Sequence, residues 1–495
     1  MARRLGRQSS CRTQALLTLA VTVTWGAACT GPPRSDPARE APGQIEATGK
    51  GSGPSSLTDL GGTLFFTARD GSHGTELWRS DGTEAGTSMV KDINPGTKSS
   101  EPNDLIVIRR TLFFSADDGA NGRELWRSDG TEAGTSMVKD INPGGKDSGS
   151  YGITEVRGLL FFSADDGSHG YEIWKSDGTA GGTSMVTDIW PGPKGSGPSY
   201  WMIEAGGALL FTARGDRRQG TELWRTNGIA SGTSLVKDIR PGPTSSNPDA
   251  LTDVGGTTFF TPAEGGSSEL WRSDGTAAGT VLLKDFTRGR YCAAEIGPSC
   301  LPEIAKAGKT LFFVAGVQTG RHTHTWELWR SDGAPSGTAR VKGFPSLFGP
   351  RWLTEAGETL LFSAEDRSHG EELWRSDGTT SGTLRVADIR PGKDSSSPRL
   401  LTEAGGEVFL IADDGLNGPE LWKSDGRTSA TFVKDINPGP KSSKTYNAIE
   451  VGDLLFFDAK DGIHGRELWR SDGTPAGTVL VKDINPAMRP IETQE

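Results

Sequence analysis

One eight-residue word, Glu-Leu-Trp-Arg-Ser-Asp-Gly-Thr or a close variant, recurs nine times along the chain. Its tryptophans are Trp78, Trp126, Trp174, Trp224, Trp271, Trp329, Trp374, Trp422 and Trp469. A repeat of about 48 residues asks for stacked copies of one supersecondary unit and overrides what 495 residues would otherwise suggest about domain number. A residue shared by all nine copies is expected to hold the fold; activity, if any, belongs to what the copies do not share.

The second copy shows how the unit is built. Asn103–Ile108, Thr111–Ala116, Glu124–Arg127 and Met137–Ile141 are short apolar or alternating runs separated by Gly, Asp and Asn. Glycine supplies positive φ, and Asp or Asn bonds its own backbone, so these separators read as turns. Phe65-Phe66, Phe113-Phe114, Phe161-Phe162, Phe259-Phe260, Phe312-Phe313 and Phe456-Phe457 are adjacent pairs. Neighbouring residues of a strand point to opposite faces, so each sheet is apolar on both sides and must be covered on both. Four strands per unit, each sheet sandwiched between its neighbours, predict an all-β protein: a β-propeller of about nine four-stranded blades. The alternative is a five-bladed plus a four-bladed ring, divided after the fifth copy, where the longest spacing falls between Trp271 and Trp329. Abundant glycine (69) and 34% hydrophobic content fit many short strands better than helices.

Nine occurrences of the word carry a family resemblance: the chain resembles the bacterial repeat family named for its motif ELWxxDGT, over roughly residues 55 to 486. The motif weakens at Asn227-Gly228-Ile229, Asp332-Gly333-Ala334 and Asp425-Gly426-Arg427, and Ile173 replaces its Leu once. The resemblance implies an exported bacterial repeat protein and brings no activity with it. The Ser-Asp-Gly-Thr segment is also similar to the Asp-box hairpins of sialidase-like propellers, which implies a structural turn.

The N-terminus reads as a targeting segment. Arg3, Arg4, Arg7 and Arg12 precede an apolar run from Ala15 to Ala28, too short for a comfortable membrane span. Gly26-Ala27-Ala28-Cys29 resembles a bacterial lipoprotein processing site, with Cys29 as the lipidated residue and ordinary cleavage after Ala28 as the alternative. Residues 1–28 are thus expected as signal peptide, 29–54 as a flexible Pro/Gly/Ser-rich tether, 55–486 as the nine-repeat propeller and 487–495 as a tail. Such a chain is expected at the periplasmic or outer-membrane surface, touching the membrane through a lipid only, or else secreted. Cys292 and Cys300 remain, and two cysteines so close in an exported protein are expected to form a disulfide.

The formal net charge is −10, and losing the leader removes four arginines and no acid. An acidic chain without a dense basic run points away from nucleic acid. Glu76 and its counterparts precede each Trp, with a Lys or Arg after it, and read as a charge ladder at the blade rim rather than a metal array. His73, His169, His369 and His464 share a slot filled elsewhere by Asn121 and Asn417, so they read as turn chemistry. Turns such as Asp117-Asp118-Gly119 could in principle hold calcium, but copies four to six lack the acids. Arg214-Gly215-Asp216 replaces an ordinary turn.

Symmetry breaks around copies five and six, where His322, His324 and Trp326 form a candidate binding loop; His322 and His324 have zinc-compatible spacing but no third ligand. No catalytic residue, metal site or cofactor is expected. The primary expectation is a monomeric, surface-tethered binding scaffold for a protein or polysaccharide. The alternative is an exported carbohydrate-acting enzyme using the ring's central pocket.

Overall fold

The computed structural model describes residues 51–216, 218–262, 269–286, 301, 303–319, 324–346 and 349–486. Blade one comprises β1 (Ser55–Leu60), β2 (Thr63–Arg69), β3 (Thr75–Ser80) and β4 (Ser88–Lys91), antiparallel and in chain order. Nine such four-stranded sheets follow one another, each complete in itself. Among the described residues the one helical element is the 3-10 turn Ala230–Gly232.

Strand alternation accounts for the assembly. Phe66 lies opposite Trp78 and Phe65 opposite Arg79, so Phe66 and Trp78 share one face while Phe65 and Leu77 share the other. Phe65, Leu77, Val90 and Ile93 of blade one pack against Leu112, Phe114, Ala116 and Trp126 of blade two. The same contact recurs at every interface, and the last joins Phe456, Leu468, Val481 and Ile484 to Leu64, Phe66, Ala68 and Trp78. The inner strand of each blade likewise packs on the next, with Ala448–Val451 against β1. The molecule is therefore one closed ring of nine blades, and the five-plus-four division is set aside. Each buried tryptophan removes on the order of 200 Å² from water, worth several kcal/mol as an upper estimate at ~25 cal/mol per Å².

Among the described residues no strand is exchanged between the first and last blades, and closure rests on side chains and on the segment before β1. The glutamate of the repeated word makes the joint. Glu76 is fully buried and accepts hydrogen bonds from Ile93 N (3.0 Å), Ser100 N (2.9 Å) and Ser100 Oγ (2.5 Å), fastening the crossover to the next blade. Glu467 does the same across the seam, accepting from Ser52 N (2.7 Å), Ser52 Oγ (2.5 Å) and Ile484 N (3.1 Å). Residues 51–54, at the end of the expected tether, are thus held against blade nine. Burial pushes Glu76, Glu124 and Glu467 up to about 7 and Glu420 up to about 8, against the opposing pull of these donors. A rim ladder would be exposed; these glutamates are internal staples, which corrects the sequence expectation.

In blades one to four the cation after the Trp also reaches across. Arg79 donates to the Gly130 carbonyl (3.0 Å) and Arg127 to Gly178 (3.1 Å), within the Asp-Gly-Thr turn of the next blade. Strand-four lysines add a second tie, from Lys91 to Thr135 O (2.9 Å) through to Lys482, which closes the ring on Thr87 O (2.8 Å). The turn is a small knot: Asp81 Oδ1 accepts from Thr83 N and Oγ1, while Ser80 Oγ meets Thr87 Oγ1 at 2.7 Å. The expected structural turn is what the hairpin forms.

Blades five and six vary the scheme. Glu269 and Glu327 accept from the indole N–H of their own Trp271 and Trp329, at 3.0 and 3.1 Å. Phe286 and Phe344 stand where blade one has Ile93, and pack edge-on against Trp329 and Trp374 at 5.2 and 5.3 Å.

Candidate axial binding mouth

The chain direction gives the ring two unlike ends. In every blade the inner strand runs from an upper end to a lower hairpin, so Gly61-Gly62, the Ser-Asp-Gly-Thr knots and their equivalents share the lower end. The upper end carries the crossovers, the second hairpin turn and the first residues of each inner strand. At the lower end the chemistry repeats. Asp59, Glu204 and Asp253 accept from the hairpin amides of Gly62 (2.8 Å), Gly207 (2.6 Å) and Gly256 (3.1 Å), so these exposed acids are turn caps.

The upper-end histidines are turn caps too. His73, His169 and His464 place Nδ1 at 2.7, 2.8 and 2.6 Å from Asp70, Asp166 and Asp461. Asn121 and Asn417 make the same bond through Nδ2 to Asp118 and Asp414, at 2.7 and 2.8 Å. His369 joins them through Asp366 at 3.0 Å. Hydrogen bonding to the aspartate raises the pKa of His73 and His169. The turn acids are occupied by backbone and imidazole, and among the described residues no group of three His, Cys, Asp or Glu forms a metal set.

The start of the inner strand is where the copies diverge. The slot of Ser55 holds Asn103, Tyr151, Tyr200, Asp249, Arg351, Arg399 and Tyr446 in other blades; the slot of Ser56 holds Asp104, Gly152, Trp201, Ala250, Glu303, Trp352 and Asn447. Ser56, Asp104, Ala250 and Trp352 have φ between +53° and +57°. Each coincides with a register shift against the second strand, a bulge that turns the strand end. Left-handed backbone costs a non-glycine residue roughly 1–2 kcal/mol, most conspicuously at a bulky Trp352. Strain of this kind gathers at binding sites and is the first pointer to one.

Two clusters result. On blades two to five, Tyr151 stacks on Tyr200 (4.3 Å between ring centres) and lies 5.4 Å from Tyr171, while its hydroxyl donates to Pro198 O (3.1 Å). Tyr200 and Trp201 remain 42% and 36% exposed, unusual for rings of this size. Asp104 beneath them is buried, accepts from Gly152 N (2.8 Å) and is raised in pKa by that burial. Beside the cluster, Trp190, Lys194, Ser196, Arg214 and Thr221 line an open groove of about 640 Å³, with the Arg214 guanidinium 4.8 Å over the Trp190 ring.

On blades seven to nine the Arg399 guanidinium lies 5.0 Å from the Trp352 ring and 4.7 Å from Tyr446; Arg466 covers Tyr446 at 4.4 Å. Arg399 donates to Thr445 O (3.1 Å) and Tyr446 O (2.8 Å). Arg466 pairs with fully buried Asp458 at 3.1 Å, and Asp458 Oδ1 accepts from Tyr446 N (2.8 Å) and Asn447 N (2.7 Å). In other blades the Asp458 slot holds Thr67, Ser115, Ser163, Thr212, Thr261, Val314, Ser363 or Ile411. Four of the chain's five tyrosines, Tyr151, Tyr171, Tyr200 and Tyr446, therefore stand at this one end. Nine sheets packed roughly 10 Å apart, or slightly closer at their inner edges, put these strand ends on a circle on the order of 10–15 Å in radius.

No family model matches the sequence, and no curated protein is similar to it. Among solved structures it is similar to the puromycin hydrolase S511A mutant complexed with PGG, at 14% identity over 69% of this chain and 54% of that one, TM-score 0.32. It is similar to the β-propeller domain of the Trilobed protease from Pyrococcus furiosus, at 12% identity over 69% and 99% of the two chains, TM-score 0.34. Oligopeptidase B from Leishmania major gives 13%, 74% and 54%, with TM-score 0.41. These likenesses reach no further than the propeller fold. The chain matches about half the length of the two peptidases.

The nine tryptophans of the word lie where alternation placed them. Cys29, Cys292, Cys300 and His322 fall outside the described residues. His324 begins the strand His324–Ser331. Trp326, expected in a binding loop, is 8% exposed and packs with Phe344, Phe362 and Trp374 between blades six and seven. The mouth residues carry no motif and lie outside both the repeated word and the longest interval, so the sequence expectations do not include them. Aligning the nine copies at the start of the inner strand would have displayed them.

Proposed function

We propose that the chain is an exported propeller, lipid-anchored at Cys29, that binds a polysaccharide or protein over its upper axial mouth as a non-catalytic scaffold. The carrying observation is the confinement of exposed, non-repeated Tyr200, Trp201 and Tyr446 to one end of an otherwise repetitive ring. Function on a repeated scaffold resides in positions that break the repeat. A polysaccharide suits the mouth better than a protein. The exposed rings form two stations, Tyr200 and Trp201 on blade four and Tyr446 on blade nine, each near charged groups, as sugar faces spaced along a chain would require. A protein partner would favour one contiguous apolar centre. Secretion and surface tethering follow from the leader and from the likeness of the repeated word to the exported ELWxxDGT family.

The test is a glycan and protein pull-down with the mature chain. Trp201→Ala combined with Tyr446→Ala should abolish retention while leaving the melting profile intact; retention undiminished in this double variant would refute the mouth as the site. Cys29→Ser should release the protein from the membrane fraction.

A single observation favours the alternative, a carbohydrate-acting enzyme. Burial raises Glu303 at the mouth to about 7, against donation from the Leu353 and Trp352 amides, which suits a proton donor near neutrality. Turnover on a polysaccharide panel that disappears in Glu303→Gln would establish it.

A further inference from the structure

Resting on the mouth as the ligand site, we infer that the Trp352–Arg399–Tyr446–Arg466 stack is a subsite for a carboxylate, and that the ligand is a uronate-bearing polysaccharide. The strand starts of the two halves differ in charge, although Arg214 lies beside the first cluster and Asp458 beneath the second. Asp104 and Asp249 accompany the tyrosines on blades two to five, whereas Arg399 and Arg466 accompany Trp352 and Tyr446 on blades seven to nine. Arg466 has its counter-ion in Asp458. Among the described residues no carboxylate is in ion-pair contact with Arg399; its nearest electrostatic partner is the same Asp458 that Arg466 already holds.

A half-buried guanidinium that must share one buried carboxylate, Asp458, with Arg466 is costly, because desolvation disfavours the cation and the pair of arginines keeps one positive charge in excess. Burial lowers the Arg399 pKa, the same cost seen from the proton's side. What holds the group in place is the aromatic pair on its faces and two carbonyls, Thr445 O and Tyr446 O. Two of its five N–H groups are thereby occupied, and the planar fork is fixed before any ligand arrives. A rigid fork flanked by ring faces matches a carboxylate set on a flat, C–H-rich ring: the fork takes the carboxylate in paired hydrogen bonds, and Tyr446, 44% exposed, offers its free surface to the sugar.

The acidic balance of the whole chain does not oppose this. The turn-cap acids of the lower end lie a strand length away, about 20 Å at ~3.3 Å per residue, against a screening length of ~8 Å at physiological salt; those of the upper end, such as Asp414 and Asp461, are each engaged by turn amides and by an Asn or His.

The experiment compares acid with ester on the unaltered mature protein. Polygalacturonate, alginate and hyaluronate are run in affinity electrophoresis, each beside its carboxyl-esterified form. The expected result is retention by at least one acidic polymer, at least tenfold stronger than by its ester and weakening as salt rises. Arg399→Gln should erase that preference, with an unchanged melt showing that the ring is intact; if the variant melts early, the acid-to-ester ratio of the unaltered protein decides alone. Equal retention of acid and ester would overturn the carboxylate subsite yet leave the mouth as a glycan site. Binding to none of the six polymers, alongside retention of a neutral glycan or a protein, would likewise overturn the inference and spare the mouth. Retention of nothing by the mature chain would overturn both.

Discussion

The lower and upper ends of the ring are made from the same nine repeats, yet only one of them is uniform. At the lower end Arg79, Arg127, Lys175 and Arg225 each reach the glycine of the next blade's turn, and Gly62, Gly158, Gly207 and Gly256 are capped by an acid of their own hairpin. At the upper end the inner strand begins with serine, asparagine, tyrosine, aspartate or arginine according to the blade. Uniform chemistry marks positions whose partner is the next copy of the chain, since every copy faces the same neighbour. Positions that differ from blade to blade cannot be serving that neighbour alone.

The largest effects should therefore come from the shared residues. Trp126→Ala removes a ring packed between blades one and two, at a cost of about 3–5 kcal/mol for a buried aromatic. Calorimetry should show a fall in melting temperature of several degrees, whereas Tyr200→Ala should leave it almost unmoved. Equal losses in the two variants would erase the distinction between scaffold and mouth. Trp271→Ala, at a half-buried tryptophan, should fall between them.

Next in size is the seam. Glu467→Gln keeps the shape of the staple but brings an amide N–H₂ against the Ser52 and Ile484 donors, at a cost of about 1–3 kcal/mol for a buried polar group left unpaired. The same change at Glu124 should cost less, because a ring interrupted in mid-chain is still held by continuous backbone. Urea unfolding of both variants measures the difference, and a milder effect at Glu467 would mean that the seam does not depend on its staple.

The staples also predict a pH dependence. Their carboxyls are raised from an ordinary 4.5 to about 7 or 8 in the folded ring. Folded protein thus keeps protons that the unfolded chain releases in this range, and stability falls as pH rises through it. His73 and His169, also raised, act in the same direction. The turn aspartates Asp81, Asp129 and Asp472 are lowered, chiefly by hydrogen bonds from Thr83, Thr131 and Thr474, so their contribution is lost only in stronger acid. The melting temperature should accordingly be higher at pH 5.5 than at pH 8.5. A flat profile would mean that the donors around each glutamate outweigh its burial.

Much of this architecture was legible in the sequence because alternation and period are local properties. Phe65 and Phe66 must face opposite ways, and nine copies of Trp78 require nine sheets. The glutamate was misread for a physical reason: in sequence it stands beside cations, but its partners, Ile93 and Ser100 for Glu76, are backbone and hydroxyl donors in the crossover. Nothing in the composition of a crossover announces a carboxylate partner. The closed ring was expected, but the contact that closes it was hidden likewise, since Ser52 sits in a segment that reads as linker. Trp326 looked like loop chemistry because its neighbours are histidines, although strand register buries it.

The smallest expected change tests the comparison most sharply. Asp458 occupies a slot where other blades carry Thr67, Ser115, Ser163, Thr212, Thr261, Val314, Ser363 or Ile411, and it is fully buried with its pKa raised by desolvation. Asp458→Ser restores the residue that the fold ordinarily uses. It removes a buried charge but also the acceptor for the Tyr446 and Asn447 amides and the partner of Arg466. Gains and losses oppose one another, and a serine hydroxyl can accept from at least one of those amides, so the net change in stability should be under about 1 kcal/mol. What should not survive is the setting of Tyr446, whose amide would lose its carboxylate anchor and whose ring would lose a fixed arginine above it. Ligand retention should drop while the melt stays put. A loss of stability on the scale of Trp126→Ala, with retention unchanged, would place Asp458 among the scaffold residues and leave the upper end no more specialised than the lower.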